Sequence, residues 1–314
     1  MTASKTTASA KIQPLKGVRI LSLALNLPGP AAFWRARQMG ATCVKLEPPA
    51  PAGLPRGTPG DPMGMSSRAT YDLMHHGMRV VSADLKTDAG QKTIHRELAK
   101  ADVLLTSFRP SALVKLNLEW KALRKQYPGL SQVAIVGAAG ARAEEPGHDL
   151  TYMADNGLVK GLDLPPTLYA DMGGSLMASE AILQAILMQK QKGKGVFIEV
   201  ALADASAYLG LPLSWGLTRS PGARGKDDPG GSVGGAHAGY RVFACKDGRV
   251  AVAALEPHFA RTLCQQVGVE FQGTATMFLA ATHRAVEIFF KSQTRKQLDK
   301  LAVEKDLPMH TLLF

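Results

Sequence analysis

Short apolar runs alternate with helix-like stretches along most of this chain. Residues 17–25 are almost wholly apolar and bounded by turn residues, which is typical of a buried parallel strand. Pro28 and Gly29 end that run before a helical stretch over residues 31–39, and Gly40 suits the end of a helix. A second strand is predicted at residues 42–46. A strand, a helix and a strand in this order form a crossover unit, so the chain opens as an α/β fold.

The same alternation continues beyond this unit. We expect a helix that begins at Asp88, with Gln91 at a capping-box position, another that Asn117 caps, and a long one from Asp171. Further strands are predicted at residues 79–85, 103–106, 131–136 and 196–201. This pattern predicts a Rossmann-like, open and mostly parallel sheet flanked by helices. A G-x-G-x-x-G run is missing after the first strand, which argues against a bound dinucleotide.

One stretch lacks any periodic pattern. Residues 48–64 are dense in Pro and Gly and are predicted to form a loop. The loop is expected to continue to Met78, with His75 and His76 exposed.

The pattern changes again in the last third of the chain. Residues 217–239 are rich in Gly, Pro and charge, which indicates a domain boundary. Beyond it, two strands flank Asp247-Gly248, a tight hairpin signal, and Thr294 forms a capping-box pattern with Gln297. We therefore predict a flexible tail over residues 1–15, a large domain over residues 16–216 and a small α+β domain over residues 217–314.

The balance of charged residues indicates an anionic partner. Lys and Arg number 37 against 26 Asp and Glu, for a formal net charge of +11. The basic residues are scattered and there are only 6 Tyr and 3 Trp to stack on bases, so a phosphate-bearing small molecule is favoured over nucleic acid. No run approaches the roughly 20 apolar residues of a membrane span, so no membrane partner is expected. Three widely separated Cys residues suit a reducing compartment, and we predict a cytoplasmic protein.

Two short segments set ionisable residues among small ones. His148 lies in GHDLTY and Asp171 lies in YADMGGS. On local pattern alone, a lone His is more often structural, and Asp171 and Asp149 are each interpreted as helix caps. A perturbed acid or base is the alternative interpretation.

Several blocks, taken together, resemble one known family. They occur in the order found in alpha-methylacyl-CoA racemases and class III CoA-transferases, and they span roughly residues 14–308. The blocks are PLKGVRILSLALNLPGPAAFWRARQMGATCVKLEPP, RVVSADLKTDAG, ADVLLTSFRPSALVKLNL, GHDLTYMADNGL, YADMGGSLM and GRVAVAALEPHF.

The resemblance implies an enzyme that acts on acyl-coenzyme A thioesters. His148 and Asp171 would be its two acid/base groups, and Glu256 would orient the histidine. The family also implies an interlocked homodimer whose site lies between a large coenzyme A-binding domain and a small domain. Neither a metal nor a redox cofactor is expected, and coenzyme A enters as part of the substrate. The coenzyme A-binding positions implied are Lys45, Ala83, Asp84, Leu85, Lys86, Phe108, Arg109 and Lys115.

The proposed chemistry is inversion of the α carbon of 2-methylacyl-CoA, an isomerase reaction of lipid metabolism. Removing the α proton needs a positioned base and donors for the enolate oxygen, for which the amides of Gly173 and Gly174 are candidates. A class III CoA-transferase, in which Asp171 is the nucleophile, is the alternative, and His148 favours the racemase. A degenerate acyl-CoA-binding paralogue is the third possibility, because a single Arg79 remains in a segment that is usually basic.

Overall fold

The structure of the protein is a computed structural model that describes residues 12–218 and 231–313. Residues 1–11, within the expected tail, and residues 219–230, within the expected boundary segment, lie outside the described residues, as does residue 314. The chain folds as two compact units, Met1–Gly210 and Leu211–Phe314. No helix in the described ranges is long and apolar enough to cross a bilayer.

The first unit contains a parallel sheet. Its strands are β1 (Arg19–Ser22), β2 (Thr42–Glu47), β3 (Arg79–Ser82), β4 (Val103–Thr106), β5 (Ser131–Val136) and β6 (Phe197–Ala201). They lie in the order β3-β2-β1-β4-β5-β6, which is the Rossmann order, and every pairing is parallel. The predicted fold class is therefore confirmed.

Helices cover both faces of this sheet. They are α1 (Pro28–Gln38), α2 (Pro62–Ser66), α3 (Arg68–His75), α4 (Asp88–Leu98), α5 (Pro110–Lys115), α6 (Trp120–Gln126), α7 (Asp149–Asp155), α8 (Tyr169–Lys192) and α9 (Leu202–Leu209). Side chains of successive strand residues point to opposite faces, so Ile20 packs with α1 and α8 while Leu21 packs with α4 to α6. The central strands β1, β4 and β5 are thus buried on both sides, which fits their apolar character, whereas the edge strand β3 is largely exposed.

Four local predictions are wrong. The segment predicted as an unbroken loop contains α2 and α3, which Asp61 and Ser67 cap through their side chains. His75 ends α3 and is buried, so the expected exposure of this residue is not found. Its Nδ1 lies 2.7 Å from the carbonyl oxygen of Tyr71.

The other two concern helix starts. Helix α4 begins at Asp88 as predicted, but Gln91 is not at its capping-box position, because Thr87 precedes the helix and its hydroxyl accepts from the amide of Gly90. Asn117 caps no helix: its φ of 56° places it in a left-handed turn before α6.

The second unit is a smaller α+β arrangement. Strands β7 (Tyr240–Cys245), β8 (Gly248–Ala253) and β9 (Met309–Leu312) form an antiparallel sheet, and β9 is an element that the sequence pattern did not indicate. The predicted hairpin at Asp247-Gly248 is present, and Thr294 and Gln297 form the expected capping box. The helices of this unit are α10 (Leu211–Ser214), α11 (Pro257–Val267), α12 (Ala280–Lys291) and α13 (Arg295–Glu304).

Candidate active site

A cavity of 310 Å³ opens at the carboxyl edge of the parallel sheet. It lies where β1 separates β2 from β4, which is the point at which crossovers leave in opposite directions and open α/β sheets bind ligands. Its walls come from the ends of β1, β4 and β5, the segment before α7, and the starts of α8 and α9. The lining residues are Leu25, Asn26, Pro28, Ser107, Phe108, Arg109, Ile135, Val136, Gly137, Ala143, Glu145, Pro146, Gly147, His148, Tyr152, Asp171 and Leu202.

Asp171 lies in the first turn of α8 and is half-buried. Burial, and after it the negative charge of Asp149, raise the pKa of its carboxyl from 3.8 to about 6, and His148 acts in the opposite sense. A carboxyl group with this pKa exchanges a proton near neutral pH, which is the property required of an acid/base catalyst.

Asp149 holds Asp171 in place. Its Oδ1 accepts a hydrogen bond of 2.9 Å from the main-chain N–H of Asp171, and its side chain is buried. Sequence reasoning interpreted Asp149 as a cap for α7, but the bond that the structure shows runs to α8. The pattern gave no sign of this, because the two residues are separated by the segment that joins the helices.

His148 precedes α7 and is exposed at the cavity. Its main-chain N–H donates to Oγ1 of Thr151 over 3.1 Å, and the Thr151 hydroxyl donates to the His148 carbonyl oxygen over 2.8 Å. These bonds fix the backbone of His148 without involving its ring. The imidazole is therefore presented to the same cavity as Asp171.

Tyr152 is a cavity residue that sequence reasoning missed. It is buried against two glycines: a Cβ on Gly137 would lie 2.2 Å from the Tyr152 hydroxyl oxygen, and one on Gly147 would lie 2.6 Å from Cε1. Burial, and secondarily the charge of Asp171, raise the pKa of the Tyr152 hydroxyl, so it stays protonated. The Gly-rich segment before His148 was the signal that a bulky side chain packs there.

Gly173 and Gly174 do not line this cavity. Both are buried against α9, where a Cβ on Gly174 would lie 2.2 Å from Cδ2 of Leu202 and one on Gly173 would lie 3.0 Å from Cδ1 of Leu209. They follow the first turn of α8, where main-chain amides bond to carbonyls four residues earlier. The expectation that these amides face an enolate is therefore wrong, and the glycines allow close helix packing instead.

The residues expected to bind coenzyme A lie in three places: at or beside the cavity, after β3, and, for Lys45, inside the fold. Phe108 and Arg109 line the cavity, and Lys115 is exposed at the end of the helix that follows them. The turn after β3, on the same edge of the sheet, contains Ala83, Asp84, Leu85 and Lys86. In this turn Oδ1 of Asp84 accepts a hydrogen bond of 3.0 Å from the Lys86 amide. Glu144 lies near Arg109 and Lys115, and the bonds that it accepts from Ser111 lower the pKa of its carboxyl.

Lys45 has a different environment. It is fully buried, forms an ion pair with Asp61 and donates to the carbonyl oxygen of Ala24 over 3.2 Å. Burial lowers the pKa of its ammonium group, and the Asp61 carboxylate opposes that effect. A phosphate could meet Lys45 only by displacing Asp61 inside the fold.

Glu256 belongs to the second unit. It directly precedes α11 and is exposed, and its side chain does not cap that helix. Its expected role in orienting His148 stays a prediction.

Comparisons with known proteins agree with the resemblance found in the sequence. A cinnamoyl-CoA:phenyllactate CoA-transferase from Clostridium sporogenes is 31% identical over 210 residues, which are 63% of this chain and 51% of that protein. An alpha-methylacyl-CoA racemase from Mus musculus is 29% identical over 272 residues, which are 82% of this chain and 65% of that protein. The chain thus spans about half to two thirds of the length of these two relatives.

A crystal structure shares the fold. That of a hypothetical protein from Mycobacterium tuberculosis aligns with a TM-score of 0.77 at 23% identity, and the match covers 95% of this chain and 85% of that one. A family model described as CoA-transferase family III matches residues 15–313. Since that match takes in nearly the whole sequence, the chain belongs to CoA-transferase family III.

Proposed function

We propose that the protein is an acyl-CoA racemase that inverts the α carbon of 2-methylacyl-CoA thioesters through an enolate. The observation that carries this proposal is the presence of two acid/base groups, His148 and Asp171, in the wall of one cavity. The pKa of Asp171, raised to about 6, allows that group to hold or release a proton near neutral pH.

Two-base inversion needs one group to take a proton while the other gives one. Neutral His148 takes the α proton from one face of the carbon, and the electron pair moves onto the thioester oxygen to form the enolate. Protonated Asp171 then donates a proton to the opposite face, and the carbonyl is restored. The protein has gained one proton at His148 and lost one at Asp171, and reaction in the reverse direction restores both.

Coenzyme A would lie along the carboxyl edge of the sheet. In this arrangement Arg109 and Lys115 meet the phosphates, because guanidinium and ammonium groups pair well with them. Phe108 contributes an apolar contact beside them, and the turn from Ala83 to Lys86 supports the distal part of the cofactor. Lys45 is left out of this proposal since its charge is already paired with Asp61.

Transfer of coenzyme A between carboxylic acids is the second candidate. The position of a carboxylate, Asp171, in the cavity favours it, and CoA-transferases are among the relatives. Here Asp171 attacks the thioester carbonyl, the coenzyme A thiolate leaves, and a mixed anhydride forms. The thiolate then attacks the aspartyl carbonyl and releases the acid, and a second carboxylate takes the coenzyme A in the same two steps reversed.

The requirement for a second acid distinguishes the two reactions. Purified protein is incubated with one enantiomer of a 2-methylacyl-CoA, alone and with added carboxylic acids, and the products are separated on a chiral column. Racemisation without an added acid supports the proposal. Formation of a new thioester that depends on the added acid would replace the racemase with the transferase.

The homodimer implied by the family stays a prediction. Light scattering of the purified protein measures the molar mass directly. A mass of twice 33.4 kDa is expected, and a mass of one chain would contradict it.

A further inference from the structure

The turn between β1 and α1 forms one wall of the cavity. Three successive amides of this turn have fixed partners: Ala24 donates to Oγ of Ser22 over 3.2 Å, Leu25 to Oγ of Ser107 over 3.1 Å, and Asn26 to Oδ1 of Asp61 over 3.0 Å. A turn with all of these bonds made has little freedom to move. We therefore expect it to present the same groups to the cavity before and after a ligand binds.

A buried ion pair supports this turn from below. Lys45 and Asp61 are both fully buried, and their charges contact each other. Asp61 also accepts from the amides of Asn26 and Met63, and Lys45 donates to the carbonyl oxygen of Ala24. Both partners of the pair thus bond to the main chain of the turn.

Such a pair is expensive to bury. Removing two ions from water costs several kcal/mol each, and a well-packed apolar pair of similar volume is often as stable. Stability alone therefore does not explain why a lysine and an aspartate stand at these two positions. Their bonds to Ala24 and Asn26 give them a second effect, which is to fix the wall of the cavity.

Asn26 is held in an uncommon conformation. Its φ is 65°, in the left-handed region that Asn tolerates better than most residues with a side chain. The side chain is exposed and lines the cavity with His148 and Asp171. Over residues 12–218 and 231–313, no hydrogen bond is formed by its side-chain amide, so the Nδ2 donors are free for a ligand.

We propose that Asn26 donates a hydrogen bond from Nδ2 to the thioester oxygen of the bound acyl-CoA, and that the Lys45–Asp61 pair holds Asn26 in position. This inference rests on the racemase proposed above. The thioester oxygen gains negative charge as the α proton leaves, and a donor already in place stabilises that charge without reorganising. Asn26 takes the part that sequence analysis gave to Gly173 and Gly174, whose amides lie away from the cavity.

The first test removes the side chain and keeps the turn. Asn26→Gly suits a residue at φ 65°, because glycine adopts this conformation without strain. We expect kcat for α-proton exchange to fall about a hundred- to a thousandfold, the loss seen when one such donor is removed elsewhere. KM, the dissociation constant for coenzyme A and the melting temperature stay near wild-type values. Asn26→Asp, which places an anion beside the enolate, loses at least as much.

The second test asks whether Asp61 acts through Asn26. Asp61→Asn keeps an oxygen acceptor for the Asn26 amide but leaves Lys45 without its counterion. It is expected to lower kcat in the wild-type background and to add little in the Asn26→Gly background. A residue with only a structural role would give the same further loss in both backgrounds.

The outcomes separate this inference from the function on which it rests. If the wild-type protein does not exchange the α proton, the racemase proposal fails. If the wild-type protein exchanges it and Asn26→Gly stays within threefold, or changes KM alone, the role of Asn26 is wrong while the racemase stands. Additive losses for Asp61→Asn and Asn26→Gly would overturn the role of the ion pair.

Discussion

The main-chain N–H of Asp171 donates a hydrogen bond to the buried carboxylate of Asp149, over 2.9 Å. This bond joins the start of α8 to the start of α7, and so fixes the two residues that we propose as bases relative to each other. It also places a second negative charge close to Asp171, which raises the pKa of the Asp171 carboxyl. Asp149 therefore acts on both the geometry and the protonation of the site.

Replacing Asp149 tests the second effect. Asp149→Asn keeps an acceptor oxygen but removes the charge, so the pKa of Asp171 should fall from about 6 toward its ordinary 3.8, without reaching it because burial remains. In the reverse direction, in which Asp171 takes the α proton and must be deprotonated, the acid limb of the pH profile of α-proton exchange should move to lower pH. Asp155→Asn, on the exposed part of the same helix, is the matched control and should leave the limb unchanged. An unmoved limb in Asp149→Asn would rule out this charge effect.

The ionised carboxylate of Asp171 should also reduce the stability of the protein at pH values above about 6. Its folded-state pKa of about 6 exceeds the ordinary 3.8, so stability falls as pH rises from about 4 to 6 and stays lower above that. The difference of about two pKa units corresponds to at most about 3 kcal/mol. Asp171→Asn should recover this free energy of unfolding at pH 8 and little of it at pH 4, measured by urea denaturation. Asp163→Asn, at an exposed aspartate, is the control. Equal effects of Asp171→Asn at both pH values, or a similar gain in Asp163→Asn, would contradict a raised pKa of Asp171.

The packing of Tyr152 gives a prediction about Gly147. A Cβ at this position would lie 2.6 Å from the ring of Tyr152, so Gly147→Ala must displace the ring or the segment that carries His148. We expect a loss of about 1–3 kcal/mol of stability, with a fall in activity. Gly129→Ala is the control, because there the nearest atom to the added Cβ is 3.9 Å away. A melting temperature of Gly147→Ala equal to that of the control would show that the site adapts.

Lys45 and Lys115 should behave in opposite ways. Lys45→Met leaves Asp61 as an unpaired buried charge and should lower the free energy of unfolding by about 3–5 kcal/mol. Lys115 is exposed, so Lys115→Ala should leave stability within about 0.5 kcal/mol and weaken coenzyme A binding instead. Calorimetric titration with coenzyme A, with Lys121→Ala as a control for net charge, measures the binding. Unchanged binding in Lys115→Ala would remove this residue from the site.

The sequence predicted the parallel sheet well because the central strands β1, β4 and β5 are buried on both faces and therefore read as apolar runs. It also indicated the hairpin at Asp247-Gly248, whose turn chemistry is local. It missed α2 and α3 because Pro and Gly surround them, although Asp61 before Pro62 and Ser67 before Arg68 are ordinary helix starts. The strand β9 was missed because it is short and follows a helix and Pro308.

The candidate site was predicted only in part. His148, Asp171, Phe108 and Arg109 were named from blocks that resemble a family, and the structure brings them to one cavity. The contributions of Asp149 and Asn26 depend on contacts between separate segments of the chain, such as the bond between Asn26 and Asp61. Sequence spacing carries no information on such contacts. The ion pair between Lys45 and Asp61 is likewise invisible in the sequence, and Lys45 was therefore expected at a phosphate although it is buried.

The most direct test of the proposed function is exchange of the α proton. The purified protein is incubated in deuterium oxide with one enantiomer of a 2-methylacyl-CoA, and the α-proton signal is followed by NMR with chiral analysis of the product. We predict loss of the signal together with loss of optical purity, and a fall of at least about a hundredfold in racemisation for His148→Gln and for Asp171→Asn. Retention of the α proton by the wild-type protein while it still binds coenzyme A would contradict the account.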